Sequence, residues 1–304
     1  MRKKKEFQKF SRPGEMPKGR STQVTDETTL LPFLFSWLKD LSKNSVKAYL
    51  KHKKVWVDGR VTTQFDMPLK PGNTVLISNE QGAVVFNHSK IKLVWEDKDL
   101  IVIDKAEGLL SVSTSRVQEQ TAYFLLTKYA KRLDPHNKIF LLHRLDKGTS
   151  GLMIFARNQE MKEIFRSDWH SRITKRSYIA VIEGHLEEPE GTIHNFLVEN
   201  SMYKVYVTHQ PEEGKESITH YKVLRTSDEY SLVELTLETG RKNQIRAHME
   251  NLGHPIAGDP KYGALTDPNK RLMLHAFRLY FIHPVTQEEM KFETPIPRNF
   301  SNLF

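Results

Sequence analysis

Residues 141–157, LLHRLDKGTSGLMIFAR, set two apolar stretches around a short loop of charged and small residues. The run Leu152 to Ala156 reads as a buried strand, because unbroken apolar residues suit a strand covered on both faces. A chain that passes through strand, loop and strand so quickly is built around a sheet. His143-Arg144-Leu145-Asp146 is delivered into the loop, which fixes the Asp146 carboxylate in place and leaves its tip accessible. The residues alone leave two readings open. Asp146 carries chemistry, or it only closes the turn Asp146-Lys147-Gly148.

Further strand-like segments stand at Ile91 to Trp95, Leu100 to Ile103, 177–183, 217–224, 231–237 and 271–282. Helical spacing in this part of the chain stands at 121–132 and 161–169, and again where Ile245, Met249 and Leu252 share one buried face of a helix that ends at Gly253 and leaves Arg246 on another side. Strands outnumber helices and do not alternate with them, which predicts an α+β fold with a mixed, mainly antiparallel sheet over residues 90–304.

The first quarter differs in charge. Residues 1–78 hold sixteen Lys/Arg against seven Asp/Glu, whereas the remaining residues hold thirty of each, so the whole net charge of +9 sits at one end. Residues 1–27 are basic, rich in Pro and Gly and poor in aliphatics, and read as a disordered arm. Leu31, Leu34, Phe35 and Leu38 then fall at helical spacing. Ser42 or Asn44 can cap a second helix, on which Lys43, Lys47 and Lys51 recur every fourth residue as a basic stripe. Asp58-Gly59 signals a hairpin. Residues 81–89 read as a linker. A one-sided basic module predicts a nucleic-acid partner, with a solvated lysine face as the plain alternative.

Several classes fall away. With no cysteine there is no disulfide framework, no thiol nucleophile and no thiolate zinc site. No phosphate loop, dinucleotide fingerprint or H-E-x-x-H pair occurs, so neither cofactor nor metal is expected. No apolar run approaches the roughly 20 residues of a membrane helix. MRKKKEFQKF lacks the apolar stretch of a secretory signal, and a cytoplasmic protein without an obligate protein partner is expected.

Three blocks carry a family resemblance. HRLD-x-x-TSGL over 143–152, TGRKNQIRAHMENLGHPIAGDPKYG over 239–263 and RLMLHAFRLYFIHPVTQEEMKFETPIP over 271–297 resemble the RluA-type RNA pseudouridine synthases, in that order. The likeness spans most of residues 91–304. Residues 28–80, with SKNSVKAYLKHKKVWVDGRV and PGNTVLI, are similar to the alpha-L RNA-binding domain.

The resemblance implies an isomerase that converts uridine in RNA to pseudouridine without a cofactor. It implies that Asp146 is the essential carboxylate, that Arg246 pairs with it, and that Tyr178 packs on the flipped uracil. It further implies that Arg144 contacts the RNA backbone or fills the vacated space, and that Leu274 lines the pocket. An attached RNA-binding module points to large-subunit (23S) ribosomal RNA. Transfer RNA is the second candidate, and a non-catalytic RNA-binding or ribosome-assembly factor is the reading from another class. An acylal at C1′, an adduct at C6 and a glycal route all remain open for the chemistry.

Overall fold

The computed structural model describes residues 19–78, 86–113 and 120–304. The chain divides into two compact units, the second of which is Phe86–Phe304.

In the first unit, β1 (Gly19–Gln23) and β2 (Thr28–Thr29) precede α1 (Leu30–Trp37) and α2 (Lys43–Lys51). They are followed by β3 (Val55–Val57), β4 (Arg60–Val61), β5 (Pro68–Leu69) and β6 (Thr74–Ser78). The larger sheet runs β1-β6-β3-β4, and β2 pairs with β5. Ser42 caps α2 by accepting a hydrogen bond from the Ser45 amide. At the β3–β4 hairpin, Asp58 and Gly59 both take positive φ (48° and 76°), as a two-residue primed turn requires. Leu30, Leu34, Val46, Val55 and Val75 form the core.

The expectation of a disordered arm to residue 27 fails where the structure describes it. Residues 19–23 pair antiparallel with β6, and Val24 is buried. The open edge of β6 offers backbone groups that a polar segment can satisfy without apolar side chains, and composition does not record this. Residues 1–18 of that arm and 81–85 of the expected linker lie outside the described residues.

The second unit opens with β7 (Ile91–Glu96) and β8 (Leu100–Lys105), then α3 (Ala122–Leu133), β9 (Phe140–Leu141) and β10 (Ser150–Ala156). Next come α4 (Gln159–Ser167), α5 (Trp169–Arg172), β11 (Ile173–Glu183), β12 (Glu190–Glu199), β13 (Val205–Thr208), β14 (Lys215–Thr226) and β15 (Tyr230–Leu237). The last elements are α6 (Gln244–Asn251), a 3₁₀ turn (Pro260–Tyr262), β16 (Leu274–Ile282), β17 (Glu289–Glu293) and α7 (Arg298–Ser301).

One sheet runs β13-β12-β14-β15-β11-β16-β10-β8-β7, with β17 on β16 and β9 on β10. Its pairings are antiparallel except β10 with β16, so the mixed, mainly antiparallel α+β expectation holds. Side-chain alternation divides the core. Ile101, Ile103, Met153 and Phe155 face α3 and α6, whereas Leu100, Val102, Leu152 and Ile154 face α4.

That topology places the site. Because β10 and β16 are parallel, the loop that ends at Ser150 and the start of β16 reach the same end of the sheet. There one row of residues crosses five strands, with Lys105 beside Gly151, Gly151 beside Ala276, Ala276 beside Tyr178 and Tyr178 beside Leu235.

Candidate active site

The Asp146 loop is fixed from several sides. Leu145 is buried in the core. Its amide donates to Ser111 Oγ (3.0 Å), and that hydroxyl donates back to the Leu145 carbonyl (2.6 Å). Lys105 is wholly buried, and its three ammonium protons meet three carbonyls, at Thr149 (2.6 Å), Leu109 (2.8 Å) and Ala106 (3.1 Å). Burial pushes the Lys105 pKa down to about 8, while the negative charge of Asp146 acts in the opposite sense. Gly151 has φ +112°, and a Cβ there would stand 2.2 Å from the Ala276 carbonyl oxygen. Only glycine lets β10 leave the loop this close to β16. His143 anchors the other end, where its Nε2 accepts the Ile154 amide (3.1 Å); burial holds this ring neutral, with a pKa pushed down to about 3.

Arg246 arrives from α6. Gln244 starts that helix by donating to the Ile218 carbonyl and Thr219 Oγ1 while accepting from the Arg241 amide. Ile245 and Met249 pack into the core, so Arg246 projects from another side of the helix. Its Nη1 donates to Asp146 Oδ2 at 3.1 Å, and its Nε and Nη2 form a fork on Asp259 at 2.6 and 2.7 Å. The guanidinium lies 4.7 Å from the Tyr262 ring centroid. Burial opposes the Arg246 charge, but Asp259 and Asp146 more than offset it and raise the pKa further. Glu250, the helical neighbour that could have drawn Arg246 to the surface, pairs instead with Lys204 at 2.6 Å.

One carboxylate oxygen is left open. Asp259 is 1 % exposed and accepts on both oxygens, but the Asp146 side chain is 23 % exposed and holds Arg246 through Oδ2 alone. Its Oδ1 accepts no hydrogen bond among the described residues. A carboxylate with one oxygen fixed and the other accessible can meet a developing cation or attack an electrophilic carbon.

Tyr178 is buried on β11, and burial raises its pKa; the cation Arg176 opposes this and the charge of Asp146 adds to it, so the hydroxyl stays protonated at neutral pH. Leu274 is buried at the start of β16 in the same core. Arg144 is exposed beside Leu145 and makes no hydrogen bond among the described residues. The structure therefore pairs Asp146 with Arg246 and places Tyr178 within electrostatic reach of Asp146, with Leu274 in the same core. Lys43, Lys47 and Lys51 stand exposed on α2 of the first unit.

Sequence reading missed Asp259, Tyr262, Lys105 and Ser111. Asp259 and Tyr262 lie inside the block 239–263, and an acid flanked by Gly258 and Pro260 was the available signal. Nothing near Ser111 or Lys105 in the sequence marks a partner tens of residues away.

Asp97, Asp99 and His283 bring their ligand atoms within 4.8 Å of one another. His283 Nδ1 accepts the amides of Val285 and Thr286, so its Nε2 carries the proton donated to Asp97 Oδ2 at 3.0 Å. That tautomer suits a turn staple and leaves no lone pair for a metal.

Residues 99–251 match the RNA pseudouridylate synthase family model, and the chain belongs to that family, in its RluA-type branch. It is an RNA pseudouridine synthase, an isomerase. The chain is 30% identical to the uncharacterized RNA pseudouridine synthase YhcT of Bacillus subtilis, over 94% of this chain and 97% of that protein. It is also 30% identical to ribosomal large subunit pseudouridine synthase D of Escherichia coli K12, over 87% of this chain and 86% of that one. Among solved structures it resembles human RNA pseudouridylate synthase domain containing 4, with a TM-score of 0.56 at 26% identity, over 69% of this chain and 90% of the human one. No helix among the described residues is long and apolar enough to cross a membrane.

Proposed function

We propose that Asp146 is the catalytic carboxylate, that Arg246 pairs with it and orients it, and that Tyr178 packs on the target uracil. The reaction breaks the bond between N1 and C1′, turns the base, and joins C5 to C1′. The C5 proton leaves and N1 gains one, so no oxidant, reductant or water is consumed. The observation that carries the reading is the half-engaged carboxylate of Asp146, tied through Oδ2 and open at Oδ1. Reaching the uracil requires that the nucleotide leave its stack. Arg144, exposed one residue before Leu145, is the side chain that fills the vacated space or contacts the backbone.

Large-subunit ribosomal RNA is the proposed substrate, and the cytoplasm the proposed setting. Support comes from the alpha-L-like character of residues 28–80, with Lys43, Lys47 and Lys51 exposed on one helix face, and from the ribosomal relatives. Two measurements test this. Asp146→Asn keeps the shape and loses the charge, so tritium release from C5-labelled uridine falls by about 10⁴-fold or more, while RNA affinity changes little. Wild-type-like release by this variant would sink the assignment. Mapping pseudouridine in cells lacking the protein then reads the substrate, and a loss confined to transfer RNA would replace the ribosomal proposal.

A further inference from the structure

The hairpin tip between β12 and β13 displays an aromatic ring outside the core. Tyr203 is 71% exposed and Met202 78% exposed. The backbone beneath them is nevertheless tightly held. Asn200 Oδ1 accepts the amides of Met202 (3.0 Å) and Lys204 (2.9 Å), and the Tyr203 amide donates to the Asn200 carbonyl (2.9 Å). Tyr203 itself has φ 59°, a left-handed conformation that bulky side chains rarely adopt. The turn thus spends backbone strain and three hydrogen bonds on holding a tyrosine in solvent rather than in the core.

The tip is tied to the Arg246 cluster by cations. Lys261, in the 3₁₀ turn that also supplies Tyr262 beneath Arg246, donates to the Tyr203 carbonyl at 2.8 Å. Lys242, two residues before α6, sits 5.4 Å from the Tyr203 ring centroid and pairs with the exposed Glu199. Lys204 lies over the other ring of the cluster, 5.3 Å from the Tyr262 centroid. Some burial and the like charges of Arg246 and Lys242 lower the Lys261 pKa, which shows how closely the cations crowd. Exposed ion pairs such as Lys242 with Glu199 are weak, and a phosphate can displace the carboxylate.

We propose that this tip binds the RNA strand beside the target uridine, with Tyr203 stacking on a neighbouring base and Lys242 and Lys261 taking backbone phosphates. The inference rests on the assignment of Asp146 as the reacting group, because it places the strand by the contacts that run from the tip through Lys261 and Tyr262 to Arg246. Stacking on an exposed aromatic accepts any base, and lysines read phosphate without reading sequence. The tip therefore supplies grip and register on the strand, and the choice of uridine lies elsewhere.

The test uses the full chain and two probes. One is a fluorescein-labelled 12-nucleotide single-stranded RNA, and the other a large-subunit ribosomal RNA transcript labelled with tritium at uridine C5. Tyr203→Ala weakens binding of the short strand about ten-fold, as loss of a stacking platform does, and Tyr203→Phe stays within two-fold of wild type. Replacing Lys242 and Lys261 by Ala flattens the dependence of log affinity on log salt by about 1.4 units, from roughly 0.7 per phosphate contact. On the transcript, the enzyme concentration for half-maximal single turnover rises about ten-fold in Tyr203→Ala, a larger change than in the limiting rate. Unchanged affinity in Tyr203→Ala, or equal losses in the Ala and Phe variants, would overturn the proposal. Failure of the wild-type protein to release tritium from any RNA would defeat the catalytic reading alone, and the binding probe would still decide this one.

Discussion

Lys43, Lys47 and Lys51 stand in solvent on one face of α2, and none makes an ion pair among the described residues. Around Asp146 two cations, Arg246 and Lys105, are withdrawn from solvent and committed. Arg246 places three N–H groups on two aspartates, and Lys105 places its three protons on three carbonyls. The difference separates two uses of positive charge. Exposed lysines attract a polyanion over a distance and hold it loosely, with an attraction that salt screens. Buried, hydrogen-bonded cations fix the position of one carboxylate, and the surrounding low dielectric makes every missing partner expensive.

The largest test of that contrast is Arg246→Met. It strands Asp259, which is 1 % exposed, as an unpaired buried charge, so unfolding free energy falls by about 3–5 kcal/mol in urea titrations. Adding Asp259→Asn restores most of that stability and none of the activity, because Asp146 still lacks its cation. Recovery of activity in the double variant would show that Arg246 serves the fold alone.

The buried histidines give the second test. Burial pushes the pKa values of His248 and His275 down to about 4, against 6.5 for a free ring. Between those values the unfolded chain binds protons that the folded chain refuses, so stability falls as pH drops from 6.5 towards 4. Each group contributes on the order of 3 kcal/mol across that window, at 1.36 kcal/mol per unit. Thermal unfolding of the second unit followed from pH 7 to pH 4 reads the slope, and His248→Gln flattens it. An unaltered slope would mean that the ring gains protons in the folded state.

A smaller effect is expected at Tyr178. Tyr178→Phe keeps the ring face and loses the hydroxyl, so RNA affinity stays within a few-fold while a step after N1–C1′ cleavage slows by about 10²-fold. A deuterium isotope effect at C5 then appears in the single-turnover rate. Loss of binding at an unchanged rate would make the hydroxyl a recognition group.

The exposed lysines should respond most mildly. Replacing Lys43, Lys47 and Lys51 together by Ala flattens the salt slope of RNA binding by about two units, with the loss falling more on affinity than on rate. An unchanged slope would leave the stripe a solvated face and break the contrast.

Which parts of this were legible in the sequence follows from how far each feature reaches along the chain. The strand, loop and strand around Asp146, the cap at Ser42, the turn at Asp58-Gly59 and the basic stripe of α2 are local, because period, capping and turn chemistry act over a few residues. The three blocks named the family. Strand β1 escaped notice, because a polar segment joined an open sheet edge through its backbone and left no apolar pattern. Strands β12, β13 and β17 were missed for a similar reason, since half of each faces solvent and their charged residues dilute the signal. Leu252, which shares the helical spacing of Ile245 and Met249, is 38% exposed, because α6 ends in the turn at Gly253 before that face is covered.

What the sequence alone determined is therefore the chemistry available and its local carriers: one aspartate in a rigid loop, an arginine on a helix, a tyrosine on a strand and a charge surplus at one end. Only the tertiary structure decided that Arg246 is shared between Asp146 and Asp259, a hundred and thirteen residues apart. It alone decided that Lys105 and Ser111 clamp the loop. Hydrogen bonds of this kind are short and directional, and they form only when parallel β10 and β16 bring distant segments to one end of the sheet.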